Sequence, residues 1–74
     1  PGQTTAQVPV PARLVGHSLR QASLRTEDRL TVVGVRPRGE RFEQLPDPDR
    51  PLARGDLLIV VGAPQDIARF QHPI

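Results

Sequence analysis

Apolar residues along this chain fall in short runs punctuated by glycine and proline, and the spacing within each run predicts an element. Residues 5–10 alternate loosely and close on Pro9 and Pro11. That predicts an edge strand, because proline has no N–H to give a ladder. Val15, Gly16, His17 and Ser18 predict a turn. Ser18 or His17 then opens a short helix to about residue 23, with Leu19 and Ala22 at i and i+3. Residues 30–35 are rich in β-branched side chains and predict a strand. Pro37, Arg38 and Gly39 read as a hairpin turn, with residues 40–45 returning as a further strand. Three prolines, Pro46, Pro48 and Pro51, stiffen the loop that follows. Arg54, Gly55 and Asp56 read as a tight turn into residues 57–61, the strongest strand signal in the chain, which Gly62 ends. Pro64 suits the first position of a last helix, Asp66 suits its positive end, and Ile67 and Phe70 share a face. The predicted fold class is α+β: β-α-β-β-β-α, with a mainly antiparallel sheet and two short helices.

Residues 57–61 are apolar at every position, and residues 30–35 nearly so. Alternation sends such side chains to both faces of a sheet. Two short helices cover one face only. A second copy of the chain, packed sheet to sheet or through a swapped element, would cover the other. The competing expectation is that residues 45–52 fold over it.

Size sharpens that expectation. A chain of 74 residues holds one domain. A domain this small buries only about 60% of its unfolded surface. There is no cysteine to staple it or to build a cysteine metal cluster. The chain opens Pro1-Gly2 and contains no methionine, which reads as a processed or cut end. No segment has the length of a membrane span or the pattern of a signal peptide.

Charge changes the picture less than it first suggests. Ten arginines and no lysine face eight acidic residues, for a net charge of +2. The isoelectric point of about 11.0 reflects missing lysine, tyrosine and cysteine rather than a strongly basic surface. Nucleic-acid binding calls for clustered cations with aromatics for stacking, whereas here Phe42 and Phe70 are the only aromatics. No Ser-His-Asp or Cys-His arrangement is present, and Glu40 and Glu43 are expected on opposite faces of a short strand, so no enzyme is expected. His17 and His72 stand alone. Asp47, Asp49 and Asp56 lack the spacing of a calcium loop. No metal site is expected.

Taken in order, Leu14 to Leu19 with Gly16, the Leu24-Arg25 pair, Leu30 to Arg36, Gly39, Leu52 to Gly62 with Gly55-Asp56, and Asp66-Ile67 resemble the RCK C-terminal, or TrkA-C, domain. The resemblance covers residues 5–71, leaving 1–4 and 72–74 as flexible ends. It implies a cytoplasmic regulatory domain at the inner face of the membrane. Such domains serve potassium channels, potassium uptake systems and cation/proton antiporters, fused to them or separate. It also implies pairing as a homodimer, with a small ligand at the two-fold interface. No nucleotide-binding Gly-x-Gly-x-x-Gly accompanies it.

One branch of that family binds cyclic di-AMP, which makes it the candidate ligand; no cofactor is otherwise expected. In that branch an arginine meets a phosphate, and Arg25 matches it. An asparagine with apolar neighbours assists, and Thr31 between Leu30 and Val32 matches those positions. Leu19 matches an apolar residue of the short helix. Thr31 departs from the pattern, offering one hydroxyl where an amide has both a donor and an acceptor. For Arg25 the competing expectation is a surface ion pair with Glu27 or Asp28. Gly16, Gly55, Asp56 and Gly62 are expected in structural roles: Gly55 frees the turn before the strand, and Asp56 accepts N–H bonds from the turn across from it. A dimerisation module without a ligand is the alternative function. A small nucleic-acid-binding domain is the remote one.

Overall fold

The computed structural model describes residues 2–72. Strand β1 (Thr4–Pro9) leads through a single 3-10 turn at Ala12–Leu14 to two consecutive one-turn helices, α1 (Leu19–Ala22) and α2 (Leu24–Glu27). Strands β2 (Thr31–Arg36) and β3 (Leu57–Gly62) and the helix α3 (Pro64–Gln71) complete it. The sheet has three strands in the order β1-β3-β2, antiparallel throughout. β1 is therefore an edge, and Pro9 sits opposite Leu57 without breaking an interior ladder. The α+β class and the antiparallel sheet match the expectation.

Two local features differ from it. Residues 40–45 do not form a strand; they keep one isolated bridge, Val35 to Gln44. A strand there would need a face to bury, and its two large apolar side chains stay out: Phe42 is 74% exposed and Leu45 89%. The second difference is α2. Leu24 is its one buried residue, so no apolar period announces it. Its start and end are set by backbone geometry. Ser23 is left-handed (φ 52°) and separates it from α1. Arg29 is also left-handed (φ 59°), and the Leu30 N–H donates back to the Leu24 carbonyl at 3.1 Å.

The core lies on one face of the sheet. Leu58 and Val60 of β3 point into it beside Val8, Val10, Val35, Leu24, Leu30, Leu52, Ile67 and Phe70. α3 packs on β1 and β3, and α2 on β2. Pro64 opens α3 as expected, and Arg13 ties down its far end, donating to the Phe70 carbonyl at 3.1 Å with its guanidinium over the Phe70 ring. Gly62 shows how tight this face is. A Cβ built there would stand 2.5 Å from Leu30 Cδ2 and 3.3 Å from the Arg29 carbonyl. Gly62→Ala is expected to cost about 1–3 kcal/mol, because Leu30 is fully buried and must move. A urea unfolding midpoint equal to that of the wild type would show that Leu30 yields freely.

On the opposite face Leu57, Ile59 and Val61 are only half-buried. Val33, at the bulge between Val32 and Gly34, is 47% exposed. The 45–52 loop runs elsewhere. Three backbone bonds tie it to the segment before and within α1: Leu52 N–H to the His17 carbonyl (2.9 Å), Gly16 N–H to the Leu52 carbonyl (2.8 Å) and Arg20 N–H to the Pro48 carbonyl (2.9 Å). The loop's last apolar residue, Leu52, enters the core.

Candidate ligand-binding site

That loop and the two short helices build an open cleft of about 420 Å³. Ser18 fixes the entry to its first wall through a capping box. The Gln21 N–H donates to Ser18 Oγ (3.2 Å), and the Ser18 N–H donates to Gln21 Oε1 (3.0 Å). α1 then presents Leu19 and Arg20 to the cleft, the joint presents Ser23, and α2 presents Leu24 and Arg25. The left-handed Arg29 turns the chain so that Leu30, Thr31 and Val32 form the floor. Pro46 and Pro48 close the far side.

All five residues matched to the ligand pattern, Leu19, Arg25, Leu30, Thr31 and Val32, therefore border one cleft. Arg25 is exposed, and among the described residues it makes no ion pair with Glu27, Asp28 or any other carboxylate. The cleft carries no acidic side chain in its lining. It is thus mainly apolar, with guanidinium groups and the Ser23 and Thr31 hydroxyls as its polar side-chain groups. That chemistry suits a flat, largely apolar ligand bearing an anionic group.

Arg20, Ser23, Leu24, Pro46 and Pro48 also line it, and none was expected from the sequence. Arg20 is paired. Its Nε donates to Asp49 Oδ1 at 2.8 Å and a terminal N–H reaches Oδ2 at 3.4 Å. The hydrogen bond from Arg20, and then its charge, hold the Asp49 carboxyl below the usual carboxylate range and raise Arg20 in return. The pair is therefore complete at neutral pH and is lost as pH falls through the lowered Asp49 value.

The residues expected in structural roles are placed as follows. Gly16 (φ 90°) turns the chain before Ser18. Gly55 has φ 94°, and a Cβ there would meet Arg38 Cδ at 2.7 Å, so both the backbone and the space call for glycine. Asp56 is 1% exposed and accepts the Arg38 N–H (2.9 Å), the Ala53 N–H (3.0 Å) and an Arg50 N–H (3.1 Å). The Arg38 bond is the one expected from the turn across from it. Asp47 caps its own turn by accepting the Asp49 N–H at 3.0 Å. Among the described residues no three His, Cys, Asp or Glu side chains converge on one point. No helix among them is long and apolar enough to cross a membrane.

A comparison with curated protein sequences gives no match. Solved structures do match. The RCK C domain of the potassium transport protein KtrA, solved in complex with cyclic diadenosine monophosphate, superposes with a TM-score of 0.85 at 25% identity, over 97% of this chain and 84% of that one. The RCK domain of GsuK superposes at 0.78 with 23% identity, and the GsuK channel bound to NAD at 0.80 with 23%. At that identity the two GsuK likenesses show the fold alone. Each covers 93% of this chain but only 15% and 13% of the GsuK chains, so the likeness is to one small part of them. The TrkA-C domain family matches residues 4–74, nearly the whole sequence, and this chain belongs to that family of regulatory domains.

Proposed function

We propose that this domain is a cytosolic ligand sensor for a potassium, or other monovalent cation, transport system at the inner face of the membrane. The channel or antiporter subunit it regulates is fused to it or separate. Its cleft takes a small anionic ligand of the cyclic di-AMP type between two copies of the chain. The observation that carries this reading is Arg25, a guanidinium that makes no ion pair among the described residues, on a mainly apolar cleft with Leu19, Leu30, Thr31 and Val32 around it. Two independent features support the pairing. The half-buried face of Leu57, Ile59 and Val61 is apolar, and the domain is small. A cyclic dinucleotide is itself two-fold symmetric, so a two-fold dimer would offer one Arg25 to each phosphate. By binding both copies the ligand favours one relative orientation, and the attached transporter inherits that bias.

A ligand-free dimerisation module is the second reading, and Thr31 in place of an amide favours it. Calorimetric titration of cyclic di-AMP into the purified domain, with sedimentation to fix its oligomeric state, separates the two. Binding to a dimer is the expected result. A folded dimer that gives no heat at high micromolar ligand would leave the dimerisation module standing. A monomer at every concentration would remove the pairing from both.

A further inference from the structure

Within the site so read, Arg20 stands out as a second guanidinium on the cleft that already holds an anion. Asp49 grips it side-on through both oxygens, the geometry in which an arginine fork also holds two oxygens of a phosphate. We propose that Arg20 is a second anion-recognition residue of the cleft, and that Asp49 is an internal stand-in which the ligand's phosphate displaces. This rests on the reading of the cleft as a phosphate-ligand site and adds to it a residue and a competitor.

Three observations carry the exchange. The pair sits at the edge of the cleft: Arg20 lines it, and Asp49, which holds Arg20, follows the lining residue Pro48 in the chain. The pair is exposed, with 66% and 70% of the two side chains accessible, so water already competes and releasing the carboxylate costs little. The loop is also held without the Asp49 side chain. The Arg20 N–H donates to the Pro48 carbonyl at 2.9 Å, Arg50 is tied to Asp56 at 3.1 Å, and Leu52 is buried. Displacing the carboxylate therefore frees Arg20 while Pro46 and Pro48 keep their places on the wall. The same anchoring makes variants at Asp49 interpretable.

Asp49 then sets the affinity of the cleft by competing for one of its two cations. The test is a double-mutant cycle: calorimetric titration of cyclic di-AMP into the full domain carrying Asp49→Asn, Arg20→Gln, both, or neither, with thermal melting to confirm folding. Asp49→Asn is expected to bind about two- to fivefold tighter, the scale of an exposed ion pair. Arg20→Gln is expected to bind roughly tenfold weaker, and adding Asp49→Asn to it should change nothing further. Should Asp49→Asn be poorly folded, Asp49→Ala repeats the cycle. Wild-type binding with no gain on losing Asp49, or the same gain without Arg20, overturns this inference and leaves the cleft reading intact. Absence of binding in all four proteins overturns the cyclic-dinucleotide reading, and this inference with it.

Discussion

Asp56→Ala is expected to destabilise the domain by roughly 3–5 kcal/mol, the usual cost of removing one partner from a buried charged cluster. Asp56 is almost fully buried and takes three donors from three places in the chain: Arg38, Arg50 and Ala53. Alanine strands the Arg38 and Ala53 N–H groups and removes the counter-charge of Arg50. The Arg50 side chain is 40% exposed and can return to water, which puts the cost nearer the lower end. At about 0.05–0.15 kcal/mol per residue, a chain of 74 residues holds on the order of 4–11 kcal/mol in all. The variant should thus lie close to its unfolding threshold at room temperature. Asp56→Asn keeps the volume and one acceptor, and should fall between the two. Urea unfolding followed by circular dichroism measures both. A loss below about 1 kcal/mol for alanine would mean that the turns at 37–39 and 53–56 hold without the carboxylate.

The second large effect is on binding. Arg25→Ala is expected to leave the domain folded and paired while removing most of its stabilisation by cyclic di-AMP. Arg25 is exposed on α2, and no ion pair among the described residues depends on it. A bidentate guanidinium–phosphate contact supplies two charge-assisted bonds, so its loss should weaken binding about 100-fold. Ligand at 100 times the wild-type Kd stabilises by about 2.7 kcal/mol, and by only about 0.4 kcal/mol once binding is 100-fold weaker. In a domain of this size that is a melting shift of roughly 10–20 °C reduced to about 2–3 °C. Arg25→Lys keeps the charge without the fork and should retain part of the shift. An unchanged shift in Arg25→Ala would take Arg25 out of the site.

The sequence signals that held were those tied to strong local chemistry. β3 is apolar throughout and β2 is β-branched, so both were legible, as was α3 from Pro64, Ile67 and Phe70. The Gly55-Asp56 turn was legible because few residues tolerate a left-handed backbone beside a buried carboxylate. The strand expected at 40–45 rested on the hairpin turn before it, and a turn alone cannot make one: Phe42 and Leu45 stay exposed. α2 was missed for the converse reason. It has one anchor, Leu24, and owes its place to β2 rather than to a period of its own. Within the cleft, the five residues Leu19, Arg25, Leu30, Thr31 and Val32 came from resemblance and border the same cleft. Arg20 was not legible because its meaning depends on Asp49, brought beside it by a loop anchored at Pro48 and Leu52. The Ser18–Gln21 capping box was a readable signal for the wall that carries it.

The strand order β1-β3-β2 has a consequence for how the domain comes into being. The central strand is the last of the three to leave the ribosome. β1 and β2 do not pair with each other, and each forms its ladder only with β3. Until residues 57–62 are available, neither edge strand has a partner, and the side chains of Val8 and Val35 have no sheet to close over. Thr4 must wait for Gly62, nearly the whole length of the chain, before its bridge can form. Such distant closure is slow for a small domain and leaves no stable half-way assembly. A nascent chain stopped short of residue 57 therefore carries every residue that lines the cleft and both edge strands, but not the strand that joins them.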